Sequence, residues 1–141
     1  MADLFATLWQ TLNSGLPILL LHFVTTLVLL ALGAALYMVI TPFNERELIA
    51  QGNIAAGLAL SGALVSITIP LAATLATNHI WLDIMLWGII AILVQLLTVT
   101  IATVLFRGFR SAIEQGNIAI AAVLVGVQLA IALLNAGAMV G

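Results

Sequence analysis

From Leu16 to Ile40 the chain runs on without an Asp, Glu, Lys or Arg, and no other feature restricts its fold so severely. At 1.5 Å per residue a helix over this run extends about 37 Å, enough to cross a hydrocarbon core of about 30 Å with some tilt. A backbone in lipid must satisfy its own N–H and C=O groups, which a helix does within one segment. The pattern recurs from Gly52 to Ala76, from Trp81 to Phe106 with the single acid Asp83, and from Gly116 to Val140. The sequence therefore predicts an all-α polytopic membrane protein with four transmembrane helices, forming one membrane domain over residues 1–141.

Composition points the same way. The chain is 65% hydrophobic and 6% charged, whereas a soluble domain carries about 25% charged residues, so there is too little polar surface to coat a globule in water. The formal net charge is -2 and there is no lysine, which leaves no basic patch for a phosphate backbone; nucleic acid is not an expected partner. The absence of cysteine removes thiolate chemistry, disulfides and thiolate-held metals. Met1 to Gly15 lacks the basic start of a secretory signal, so this segment is expected to be retained.

The three arginines set an orientation. Arg46 lies between spans one and two, and Arg107 and Arg110 lie between spans three and four. An even number of crossings separates these connectors, so all three charges share a face. The positive-inside rule makes that face cytoplasmic and leaves both termini outside. Trp9, Trp81 and Trp87 fall near the outer ends of their spans, where indole rings anchor at a membrane interface.

An internal repeat is visible at an offset of 64 residues. Gln51-Gly52-Asn53-Ile54-Ala55 matches Gln115-Gly116-Asn117-Ile118-Ala119, and Arg46 matches Arg110. Repeat one covers about 16–76 and repeat two about 81–140. Each contains two spans, so both enter the membrane in the same sense, which implies parallel repeats about an axis along the membrane normal rather than inverted ones. In each repeat the Gly-Asn pair, Gly52-Asn53 or Gly116-Asn117, stands where a helix begins. Asn is a strong N-cap, accepting from orphan N–H groups of the first turn. Two such helix starts side by side also offer partial positive charge to an anion or to a partner's carboxylate.

Lipid tails are as apolar as leucine, so spans associate through close packing of small residues. Span two offers Ala55, Ala59, Gly62, Ala63 and Ser66, and span four offers Ala122, Gly126 and Ala130. These faces predict a centre made of spans two and four with spans one and three outside; the same faces suit packing against another copy of the chain. Gln95 and Gln128 both fall near mid-membrane and form a candidate interhelical amide pair, either fixing helix register or lining a hydrophilic path. His22, Asp83 and Asn135 fall at similar depth near the outer side, as a proton-sensing cluster or as separate groups with Asp83 reaching interfacial water. Pro70 is expected to kink span two. The cytoplasmic connectors carry Glu45, Arg46, Glu47, Arg107, Arg110 and Glu114, read mainly as a solvated surface with an Arg110–Glu114 pair on one helical turn.

No nucleophile–base arrangement, phosphate-binding glycine loop or metal-ligand motif is present, so neither enzymatic activity nor a cofactor is expected. The segments Ile40-Thr41-Pro42-Phe43-Asn44-Glu45, Glu47-Leu48-Ile49, Asn53 through Gly62 and Ile69-Pro70-Leu71 resemble the YjfL-like family of small bacterial inner-membrane proteins of unknown function. Asp83, Trp87-Gly88, Val94-Gln95-Leu96 and Asn135-Ala136 continue the resemblance over nearly all of the chain after residue 30. It implies tandem two-helix repeats, a bacterial inner-membrane location and an association with envelope-stress systems containing PspA-like proteins. Two functions stay open. One is a non-enzymatic, homo-oligomeric scaffold or sensor that docks a cytoplasmic protein. The other is an oligomeric channel or solute path lined by Gln95, Gln128, Thr98, Thr100 and Thr103.

Overall fold

The computed structural model describes residues 1–141, apart from the side chain of Ala2. Six helices follow one another: α1 (Ala2–Ile40), α2 (Glu45–Ala50), α3 (Ile54–Thr77), α4 (Trp81–Leu105), α5 (Phe109–Glu114) and α6 (Ile118–Val140). Four of them, α1, α3, α4 and α6, are long and apolar enough to cross a membrane, as the apolar runs predict.

The first helix begins earlier than expected. Instead of starting at Leu16 it runs from Ala2 through 39 residues, about 58 Å at 1.5 Å per residue, well beyond the bilayer core. The polar side chains of the N-terminal segment do not break it because they bond within the helix: Thr7 donates to the Asp3 carbonyl, Thr11 to Thr7 and Ser14 to Gln10. Pro17 lies inside the helix and removes only one backbone donor.

The connectors on the arginine-bearing side are not simple loops. Each folds into a six-residue helix, α2 or α5, too short to announce itself by periodicity. Both ends of α5 lie 64 residues after those of α2, and α6 begins 64 residues after α3, the offset seen in the sequence. Gly52 and Gly116 adopt left-handed φ of 82° and 79° and terminate these short helices. Their N–H groups return to Ile49 and Ile113, while the next N–H groups return to Leu48 and Ala112. This is the closure that glycine permits just past a helix end. The glycine thus ends one helix and the following asparagine starts the next.

The packing departs from the predicted centre. The contact of α3 with α6 is the most extensive in the bundle, but α3 also touches α1 and α4, and it is α3 and α4 that are most enclosed, with α1 and α6 more exposed. On α3 the small face is buried as expected: Ala55, Ala59, Gly62, Ala63 and Ser66. A Cβ on Gly62 would collide with a methyl of Val125, so this glycine sets how closely α3 and α6 approach. On α6, however, Ala121, Leu124, Gln128 and Ala132 face inward, while Ala122, Gly126 and Ala130 are exposed. The pattern of small residues marks a surface that another helix can approach, but α6 turns inward the face on which Leu124 and Gln128, with Val125 against Gly62, fill the space beside the small face of α3.

Candidate functional site

Chemistry-bearing side chains concentrate at the end of the bundle that carries α2 and α5. The two connectors meet there. Asn53 accepts from the Ala56 N–H as the N-cap of α3, and its amide nitrogen donates across the bundle to the carbonyls of Ile113 at 2.8 Å and Glu114 at 3.2 Å. Asn117 caps α6, accepting from Ala119 and Ile120, and makes no bond across to α2. The caps therefore take first-turn donors that an anion would need, and the space between the two Gly-Asn turns is walled by Glu114. Together with the carbonyls at the end of α5, that wall disfavours negative charge.

Beside them an open cavity of about 660 Å³ is lined by the end of α1, the turn from Thr41 to Asn44, Glu45, Arg46 and Arg110. Arg46, Glu47, Arg107 and Arg110 are exposed, and Arg110 pairs with Glu114 at 2.8 Å as the sequence predicts. Glu47 receives a bond from the Gln51 amide. Glu45 departs from the solvated reading: it is only 2% exposed. The turn before it is folded inward, with Thr41 and Phe43 buried, the Phe43 ring against Phe109 at 5.9 Å, and the Thr41 hydroxyl donating to the Glu45 carboxylate. Burial pushes the Glu45 carboxyl above the ordinary carboxylate range, and the Thr41 hydroxyl partly offsets this.

Deeper in the bundle, Gln95 and Gln128 are buried, ten residues before the end of α4 and ten after the start of α6, both about 15 Å from the loop end. No hydrogen bond joins them, and the nitrogen and oxygen of both amides lack a partner. The Tyr37 hydroxyl, also buried and without a hydrogen bond, lies close to Gln128. Sequence reasoning missed Tyr37; as the chain's one tyrosine, near the end of an apolar run, it has the look of an interface anchor, and only the fold turns it inward.

The structure does not gather His22, Asp83 and Asn135 into one site. All three are partly exposed, but His22 lines a cleft with Phe23 and Leu75, Asn135 lines another with Thr77, Asn78 and Trp87, and Asp83 borders neither. At that end the link between α1 and α4 is instead the Trp81 indole, which donates to Thr25 at 2.8 Å.

Comparison with known proteins adds a family but no activity. The family model for a domain of unknown function, DUF350, matches residues 11–139. The chain is also similar to the UPF0719 inner membrane protein YjfL of Escherichia coli, from strain K12 and from O157:H7. Identity is 46% over 63 residues, covering 44% of this chain and 47% of each relative, so the match spans about half the length of these curated relatives. No solved structure matches.

Proposed function

The chain belongs to the DUF350 family, and from that footing we propose that it is a non-enzymatic scaffold or sensor subunit of a bacterial inner membrane, docking an acidic segment of a soluble partner at the α2/α5 end. The observation that carries this reading is the open cavity between the connectors, with Arg46 and Arg110 on its wall and Arg107 exposed nearby. All three arginines of the molecule stand at this end, which by the positive-inside rule faces the cytoplasm. The inner-membrane name of the Escherichia coli relative supports the location. A homo-oligomer is part of the proposal, supported by the exposed Ala122, Gly126 and Ala130 of α6, small residues of the kind that let membrane helices approach closely. The link to envelope stress rests on the family resemblance alone.

The test places a photo-crosslinking residue beside the cavity at Asn44 and, as a control, at Ala138 near the opposite end, in cells carrying either the native arginines or Arg46→Glu with Arg110→Glu. A soluble protein captured from Asn44, absent from Ala138 and lost on charge reversal is the expected result; capture unaffected by charge reversal overturns the docking site. The alternative of an oligomeric channel draws less support, because Thr98, Thr100 and Thr103 spend their hydroxyls on carbonyls of their own helix.

A further inference from the structure

Three side chains from three helices, Tyr37 on α1, Gln95 on α4 and Gln128 on α6, are at most 1% exposed. Their five polar side-chain atoms have no hydrogen-bond partner in the protein. Each buried polar group left so is destabilising, and native interiors hold few of them. Inside a polar pocket the usual remedy is ordered water, which makes about three hydrogen bonds to such groups.

The arrangement is directional. Helical side chains lean toward the N-terminus of their own helix. Tyr37 sits three residues from the end of α1 and leans into the membrane, while Gln128 on α6 leans back toward the connectors, and the two lie close without a hydrogen bond between them. One turn beyond Tyr37, the Thr41 hydroxyl lies within hydrogen-bond distance of both the Tyr37 carbonyl and the Glu45 carboxylate on the wall of the open cavity. Polar groups thus run from the cavity wall through Thr41 and Tyr37 to Gln128, and Gln95 is buried at similar depth on α4. Beyond them the buried side chains are mostly apolar, Ile67, Leu71, Ile84 and Ala132 among them, the buried Ser66 and Thr74 spend their hydroxyls on carbonyls of their own helix, and Gly88 is crowded by Leu29 and Leu71.

Glu45 is no mere filler. The residue 64 positions on is Phe109, also buried and packed against Phe43 with the rings tilted, so a phenyl group satisfies the same place in the other half. The charged groups that face Glu45 are Arg46 and Arg110 across the cavity, the latter held by Glu114; Glu47 is turned to Asn44 and Gln51. The helix packed against α2, α3, contains no titratable side chain, nor does α6, and the nearest titratable group on α1 is Tyr37.

We propose that the connector-side half of the bundle is a blind, water-filled shaft that runs from the cavity past Glu45 and Tyr37 to Gln128 and Gln95, with Glu45 as the proton-binding group at its mouth. It requires no docked partner, and its ligands are water and a proton. The proton enters and leaves by the cavity, since the shaft does not reach the other face.

The native chain has no cysteine, so single substitutions can be read cleanly in membranes. Gln95→Cys, Gln128→Cys, Leu124→Cys and Ala132→Cys are exposed to a small water-soluble methanethiosulfonate from the connector side. The glutamine positions are expected to react at least about tenfold faster than Leu124→Cys, which is nearer the connectors but in the apolar core, and Ala132→Cys, one turn deeper, since those two need local opening. Equal rates at all four positions overturn the shaft. Infrared spectroscopy of the native protein gives a second readout independent of those variants. A protonated-carboxyl band that disappears as pH rises, shifts on exchange into heavy water, moves with Tyr37→Phe and is absent in Glu45→Gln is expected. A Glu45 band indifferent to heavy water and to Tyr37→Phe overturns the proposal, and Glu45→Phe, which copies the other half, supplies a folded blank for the same band.

Discussion

The Asn53 side chain joins the two halves of the protein at a point where Asn117, its counterpart 64 residues on, does not. Its oxygen caps α3 and its nitrogen reaches the carbonyl of Ile113 at 2.8 Å, whereas Asn117 caps α6 only. Removing a cap costs about 1 kcal/mol, and a further net hydrogen bond is worth about 1 kcal/mol. Asn53→Ala is therefore expected to destabilise the protein by about twice as much as Asn117→Ala. Denaturation in detergent micelles, followed by tryptophan fluorescence, checks the ratio; equal losses contradict the cross-bundle role.

Gly62 and Gly126 predict opposite outcomes for one change. A methyl on Gly62 would collide with Val125, a side chain stiff at its branch point, whereas one on Gly126 meets nothing within 4 Å. Gly62→Ala should cost about 1–3 kcal/mol, with part recovered by adding Val125→Ala. Gly126→Ala should be neutral or slightly stabilising, by up to about 1 kcal/mol from helix propensity. Thermal unfolding of the two single variants and the double variant reads this. If the exposed face of α6 is an oligomer contact, Gly126→Leu leaves the protomer folded yet weakens energy transfer between labelled copies.

Stability should fall with rising pH on account of Glu45. Its carboxyl titrates higher in the folded protein than in the unfolded chain, so folding takes up a proton between the ordinary carboxylate value of about 4.3 and the raised folded one. The contribution is complete below the lower value and is lost as pH rises through the upper one. Glu45→Gln should flatten that part of the profile, measured as melting temperature across about pH 4 to about pH 8. An identical slope in the variant would show that another group is responsible.

The Arg110–Glu114 pair, by contrast, is exposed and has the basic residue first. Such helical pairs are worth about 0.3–0.5 kcal/mol at most, and acid-first order is the better one. Glu114→Gln should change stability by less than about 0.5 kcal/mol, and the exchange Arg110→Glu with Glu114→Arg should give a small gain at low salt. A loss of several kcal/mol would mean the pair is held in a drier setting than its surface position indicates.

Membrane crossing was legible because it depends on length and hydrocarbon content, which Leu16–Ile40 and its three counterparts display without ambiguity. The caps were legible at Asn53 and Asn117 because N-cap chemistry is local. What escaped depended on contacts distant in sequence. Six-residue helices such as Glu45–Ala50 leave no periodic signal, so Phe43 and Phe109 were not seen as core. Glu45 looks solvated in the sequence because charge is a poor guide where a turn folds inward. The stripe Ala122, Gly126, Ala130 showed that a close approach was available on α6, but the side that α6 turns to α3 is decided by the shapes on both helices at once. Tyr37 and Gln128 come together only through the opposite directions of α1 and α6.

The length of α1 has a mechanical consequence. A rod longer than the slab it pierces, with an apolar run of about 37 Å against a core of about 30 Å, has slack in its depth, since sliding it by a turn immerses one stretch and withdraws another. Its height must then be fixed by grip: Trp81 holding Thr25 near one face, and Tyr37 wedged among the other helices near the opposite face. Loosening either catch would let the rod shift along its axis while the shorter helices stay matched to the lipid, so bilayer thickness and the state of those two catches act on the same degree of freedom.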